Sequence, residues 1–182
     1  MNENAVATQS VKSKIKDLVT TALLISMVFI ATMFINIRLP ISVNGGLMHL
    51  GTGMLYISAI VFGKKKGAIA GAFGMFLFDV VSGWVLWAPF TFVVRGVMGY
   101  IVGSIANSRD KDGKSFVMNI FAVLVGGVWM IIGYYITEVI LYGNWITPVT
   151  SIPGNVFQII IGSISLAVAP ILKRVKALGI YR

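Results

Sequence analysis

MHLGTGMLYISAIVFGKKKGAIAGAFGMFLFDVVSGWVLWAPFTFVVRGVMGYIVG, residues Met48 to Gly103, holds three apolar runs with only short gaps between them. Lys64, Lys65 and Lys66 fill the first gap, and Trp84 and Trp87 mark the second. A lone aspartate, Asp79, and a lone arginine, Arg95, lie inside the second and third runs. Hydrocarbon tolerates such charges only where they are paired, hydrated or functional. The stretch therefore reads as the core of a membrane protein with a polar site near one end.

Composition points the same way. Of 182 residues, 57% are hydrophobic and 12% charged, and the mean hydropathy is +0.89. A soluble domain has about 45–50% apolar and about 25% charged residues. No polar segment is long enough to build a separate soluble core, so residues 1–182 read as a single membrane domain. In a soluble chain the net charge of +9 would suggest nucleic acid. Here the basic residues occupy short loops between apolar runs, which is the positive-inside pattern, and no nucleic-acid partner is expected. Cysteine is absent, which excludes a disulfide framework and a thiolate metal site. The first ten residues are polar and the apolar run after Asp17 is long, without a good cleavage site, so that run is read as a mature helix.

Outward from the central stretch, the sequence predicts six helices, at about 18–37, 48–62, 68–81, 89–106, 116–141 and 155–172. The first is long enough for a hydrocarbon core of about 30 Å. It carries Ala22-x-x-x-Ser26, a spacing of small residues that lets another helix approach closely. Residues Arg38 to Leu47, with Pro40, Asn44, Gly45 and Gly46, form a fairly apolar loop. Gly67, Gly71 and Gly74 put small residues on one face of the third run, and Pro89 suits the first turn of the fourth.

Six spans place both termini on one side, and the basic residues follow. Three lie in the N-terminal arm (Lys12, Lys14, Lys16), three in the turn at 64–66, three in the fourth loop (Arg109, Lys111, Lys114) and four in the tail. Thirteen of the fifteen thus share a face, which orients both termini to the cytoplasm. The expected architecture is an all-α integral membrane protein, a six-helix bundle without an internal repeat.

With this topology the sparse polar residues collect towards the outside. Asp79 and Arg95 lie one and two turns below the turn at 82–88. Glu138 is near the outer end of the fifth run, one turn after Tyr134 and Tyr135. Asn155 and Gln158 share a face at the start of the sixth, and His49 sits beside the Gly-Gly loop. The candidate substrate-binding residues are His49, Asp79, Trp84, Trp87, Arg95, Tyr135, Glu138, Asn155 and Gln158. Flat aromatic faces with a few donors and acceptors suit a small, planar, polar heterocycle. Each residue also has a plainer role open to it. The tryptophans, with Trp145, suit an interfacial belt; Asp79 and Arg95 suit a structural ion pair; Asn155 suits a helix cap.

Enzyme signatures are missing. The chain has no Walker A motif with which to couple ATP by itself and no nucleophile elbow, and one histidine cannot build the usual zinc site. No catalytic residue, metal or cofactor is expected.

The segments H-L-G-x-x-x-x-Y-I-S-A-I-V-F-G-K-K-K-G-A-I-A-G-A-F-G and D-V-V-S-G-W-x-x-W-A-P-F-T-F-V-V-R-G-x-M-G resemble the riboflavin-transporter-like family of S components. These are the substrate-capturing membrane subunits of bacterial energy-coupling factor (ECF) vitamin transporters. The resemblance covers nearly the whole chain. It implies a six-helix bundle in the plasma membrane, joined by a transmembrane coupling protein and two ATP-binding subunits. It also implies that the small-residue motif of the first helix docks on the coupling protein, here through Ala22 and Ser26, with serine in place of the family's second alanine. The implied cargo is a water-soluble aromatic vitamin or precursor. Hydroxymethylpyrimidine or pyridoxine is favoured by the modest number of polar residues, and riboflavin comes next. The competing reading is a self-sufficient proton-coupled carrier using Asp79 or Glu138. A ligand-free structural membrane protein is disfavoured by the clustering of polar residues and tryptophans.

Overall fold

A computed structural model describes residues 3–38, 47–108 and 111–177. Seven helices run in chain order: α1 Glu3–Phe34, α2 Gly51–Phe62, α3 Lys64–Val81, α4 Ala88–Ala106, α5 Phe116–Tyr142, α6 Ile152–Gly162 and α7 Ser165–Ala177. Two short strands, β1 Asn36–Arg38 and β2 Leu47–His49, pair antiparallel between α1 and α2. A 3₁₀ turn at Thr147–Ser151 leads into α6. Pro40, Asn44, Gly45 and Gly46 of the expected loop, Arg109, and the end of the tail with Arg182 lie outside the described residues.

Local chemistry sets the boundaries. Ser115 caps α5, accepting from the Met118 amide at 3.5 Å, and Gly143 ends it in a left-handed conformation, φ 65°. Pro89 stands in the first turn of α4 and Pro153 in that of α6, where a missing N–H costs nothing. Gly63 alone joins α2 to α3, with φ 90°, a value open to glycine but strained for other residues.

Four boundaries differ from the sequence expectation, the first being that Lys64–Lys66, expected as a turn before a helix at about 68, open α3 itself. The polar arm at 3–16 continues α1 rather than preceding it; it holds neither glycine nor proline, so nothing stops the helix. Residues 36–37 and 48–49, expected as helix ends, and Arg38 and Leu47, expected in the loop between them, pair as strands instead. The sixth run breaks at Ser163 and Ile164 into α6 and α7.

The helices pack through small residues. α3 packs most extensively on α4, followed by α4 on α5 and α1 on α3. Gly99 and Gly103 of α4 lie directly against the backbone at Gly67–Ala68 and Gly63–Lys64, with no room for a Cβ. The expected glycine stripe on α3 divides among three neighbours. Gly67 faces Ala59 of α2, Gly71 faces Leu55 and the Arg95 carbonyl, and Gly74 faces Val28 of α1. Leu55, Tyr56, Ile60, Met75, Met98 and Met130 fill the centre.

Among the described residues, four segments are long and apolar enough to cross a membrane: Gln9–Phe34, Ala88–Ala106, Phe116–Tyr142 and Thr147–Val175. α2 is apolar but shorter, and α3 begins with three lysines. Contacts gather the basic segments at one end. Lys66 pairs with Asp17 at 2.7 Å, and Lys64 backs onto Gly103. Buried Lys173 bonds Asp112 at 2.7 Å, and Gly113 lies against Ile60 and Lys173.

Substituting Gly99→Val forces a side chain into the α3 backbone. Overpacking of this kind costs about 1–3 kcal/mol, so the variant is expected to melt earlier than the parent in detergent, as read by a thermal unfolding curve.

Candidate functional site

A cavity of about 90 Å³ opens at the end away from the lysines. Among the described residues, its walls come from several elements. Thr32 of α1, Leu47 and His49 of β2, and Met75, Phe78 and Asp79 of α3 form one side. Trp84 and Trp87 of the α3–α4 turn, with Thr91 and Arg95 of α4, form the next. Tyr134 and Glu138 of α5, then Ser151, Asn155 and Gln158 around the start of α6, complete it.

Arg95 is the centre of this site. It is 2% exposed, in the middle of a membrane-spanning helix, so its N–H groups must find partners in the protein. Nε donates to the Tyr134 hydroxyl at 3.0 Å. Nη1 donates to Thr52 Oγ1 at 3.0 Å and meets the Met130 sulfur at 2.9 Å. Nη2 donates to Gln158 Oε1 at 2.5 Å, and the guanidinium carbon stands 5.1 Å from the centroid of the Tyr134 ring. Gln158 in turn donates to the Leu47 carbonyl at 2.8 Å, so the same network fixes the hairpin.

The partners of Arg95 are neutral. Among the described residues no ion pair within 4.0 Å joins it to Asp79, so of the two roles left open by the sequence the structural ion pair is not formed. Asp79 is 8% exposed; Thr91 hydrogen-bonds its carboxyl group, and Oδ2 is buried without a protein partner. Glu138 Oε2 accepts from the Ser151 hydroxyl at 2.9 Å. His49, in β2 and outside the helices, is buried, and its Nδ1 also has no protein partner. Burial first, and the Arg95 cation second, hold its imidazole well below the ordinary histidine pKa. It is therefore neutral, with one nitrogen a donor and one an acceptor.

Local structure aims the aromatic residues. Gly83, φ 83°, turns the chain after α3, and the Trp84 amide bonds back to the Asp79 carbonyl at 2.7 Å. Trp87 packs against Tyr134 and Tyr142, with centroids 6.3 and 6.2 Å apart.

The structure brings eight of the nine candidate residues to the cavity: His49, Asp79, Trp84, Trp87, Arg95, Glu138, Asn155 and Gln158. Tyr135 lies elsewhere. Its hydroxyl donates to the Trp145 carbonyl at 2.6 Å on the exposed side of α5, so Tyr134 takes the place expected of it. Trp145 is 69% exposed and stands apart from the cavity. Thr52, Thr91 and Ser151 were not anticipated. Spacing held a signal for Tyr134, because Gly126, Met130, Tyr134 and Glu138 recur every four residues along one face of α5.

Gln158→Leu leaves an Arg95 N–H and the Leu47 carbonyl without partners. An unsatisfied buried group costs about 1–3 kcal/mol, more when charged. Detergent-purified Gln158→Leu is therefore expected to show a clear drop in melting temperature.

Residues 12–177 match the model of a family described as ECF-type riboflavin transporter, S component. The chain is 28% identical over 169 residues to the thiamine precursor transporter HmpT of Lactococcus lactis subsp. cremoris, spanning 92% of this chain and 94% of that protein. It is 34% identical over 107 residues to an uncharacterized protein of Pyrococcus woesei, spanning 59% of this chain and 69% of that one.

Proposed function

The chain belongs to the ECF-type riboflavin transporter S component family, and on that premise we propose that it captures a one-ring aromatic vitamin precursor from outside the cell for import by an ECF coupling module. It is a transporter subunit of the plasma membrane and not an enzyme. The observation that carries the reading is the polar, tryptophan-flanked cavity around Arg95, at the end opposite the basic segments. The positive-inside rule makes the basic end cytoplasmic, with both termini, and the cavity external.

Cavity size bears on the cargo. A void of about 150 Å³ holds benzene, and the cavity of about 90 Å³ is smaller, so even a one-ring cargo must widen it and a larger one must widen it further. Three fused rings with a polyol chain would demand much more. This favours a pyrimidine or pyridine over riboflavin. The name of the Lactococcus relative, a thiamine precursor transporter, puts hydroxymethylpyrimidine ahead of pyridoxine. Trp84 and Trp87 supply stacking faces, His49, Asp79, Glu138 and Asn155 supply hydrogen bonds, and Gln158 holds Arg95 in place.

Release inward draws on ATP hydrolysis by two partner subunits, transmitted through a transmembrane coupling protein. On α1, Leu24, Val28 and Ala31 face the bundle, while Ala22 and Ser26 are exposed. The Ser26 hydroxyl donates to the Ala22 carbonyl at 3.0 Å, so its polarity is already satisfied within the helix. A serine here leaves a small surface much like alanine, suited to close helix contact with the coupling protein.

Isothermal titration of the purified protein should show saturable binding of hydroxymethylpyrimidine or pyridoxine and none of riboflavin. Absence of saturable binding of any of these compounds would overturn the proposal. The double variant Ala22→Trp, Ser26→Trp should bind as the parent does yet lose uptake in cells that carry the coupling module. Unchanged uptake would remove the docking role.

A further inference from the structure

We infer that Asp79 sets the specificity of the cavity by pairing with an amidine edge of the ligand, an amino group next to an unsaturated ring nitrogen. The inference deepens the capture reading above and rests on it.

Asp79 is buried near the end of α3 and lines the cavity. The Thr91 hydroxyl of α4 engages its carboxyl group. Its Oδ2 is buried and has no partner in the protein. Such an atom in a membrane interior is costly unless something else satisfies it. Arg95 is the obvious cation to do so, yet its donors go to Tyr134, Thr52 and Gln158. The carboxyl group of Asp79 is thus held in place but not consumed by the fold.

The charge of the cavity narrows the ligand further. Arg95 is the only cationic side chain among the described lining residues, against the two acids Asp79 and Glu138. An anionic ligand, such as a phosphate ester, would meet two acids and a guanidinium already bonded to neutral protein groups. A neutral or protonated base fits.

A carboxyl group and an amidine edge form two parallel hydrogen bonds. The amino group donates to one oxygen. The protonated ring nitrogen donates to the other, so the pair is an amidinium edge on a carboxylate. An aminopyrimidine has this edge. A pyridine that bears only hydroxyl and hydroxymethyl groups lacks the amino donor. A 4-oxo pyrimidine presents a carbonyl in its place, and that carbonyl faces the ionised carboxylate as a second acceptor.

The test is titration calorimetry on the full-length protein in detergent. The probes are 4-amino-5-hydroxymethyl-2-methylpyrimidine, its 4-oxo counterpart, its phosphate ester and pyridoxine. The parent should bind the amino compound at least about tenfold more tightly than the other three, since hydrogen bonds to a charged group are worth roughly 10- to 100-fold. Asp79→Leu, which offers neither donor nor acceptor, should lose affinity for the amino compound by a similar factor. Asp79→Asn should instead gain affinity for the 4-oxo compound and so narrow the preference, because a carboxamide pairs with the lactam edge as well as with the amidine edge. Equal binding of the amino and 4-oxo compounds or pyridoxine by the parent, or an unchanged preference in Asp79→Asn, would overturn the inference while leaving vitamin capture intact. Failure of the folded parent to bind any of these compounds or riboflavin would instead overturn the capture reading. If Asp79→Asn does not fold, the ranking of the four probes by the parent decides the matter alone.

Discussion

A guanidinium inside a membrane protein must satisfy its N–H groups from the protein itself, and Arg95 does so across four helices. It starts on α4, reaches Thr52 on α2 and Tyr134 on α5, and ends at Gln158 on α6. Gln158 extends the chain of bonds to the β2 carbonyl at Leu47. Removing such a group from water is costly unless every donor is met with good geometry. The fold therefore cannot loosen at this end without stranding a charge. The same bonds that close the bundle also form the floor of the cavity, so the shape of the site and the integrity of the fold depend on one side chain.

That arrangement requires α4 to lie very close to its neighbours. Gly71 of α3 leaves room for the Arg95 carbonyl, and Gly99 and Gly103 let the rest of α4 settle onto the α3 backbone. Without a hydrophobic difference between lipid and side chain, close contact of this kind is what holds helices together in a bilayer. The basic end is built differently. There Lys66 reaches Asp17 on α1, and Lys173 reaches Asp112 in the α4–α5 loop, both as ion pairs. Such pairs sit where water is near, and Lys173 buries its stem while its ammonium finds a carboxylate.

Much of this was legible in the sequence because the constraints are local. Apolar run length, the lysines at 64–66 and Pro89 locate helices without any knowledge of packing. The gathering of His49, Asp79, Arg95, Glu138 and Gln158 followed from their positions near one set of run ends. What escaped depended on phase or on partners distant in the chain. Tyr134 and Tyr135 differ by one residue, about 100° around a helix, and only the four-residue recurrence through Met130 and Gly126 separates them. The β1–β2 pairing joins residues on either side of a loop, and no periodicity announces a three-residue strand. Asp79 and Arg95 looked like partners because both are lone charges at similar depth. Thr52 and Gln158 could offer Arg95 neutral acceptors instead, but nothing in a linear reading brings them beside it.

The choice of neutral acceptors for Arg95 has a consequence for function. Had Asp79 paired with it, the fold would hold a tight ion pair and the cavity would have lost both an acid and a cation. With Tyr134, Thr52 and Gln158 in that role, Asp79 remains on the cavity wall. The polar groups of the site thus fall into two sets. Arg95, Gln158 and the Glu138–Ser151 pair have fold partners and come from the helices α4, α5 and α6 and the turn before α6. The buried atoms without protein partners, Asp79 Oδ2 and His49 Nδ1, come from the last turns of α3 and from the hairpin. A binding site needs both sets, because a rigid floor lowers the entropy lost on binding while the unspent groups supply the bonds that discriminate one ligand from another.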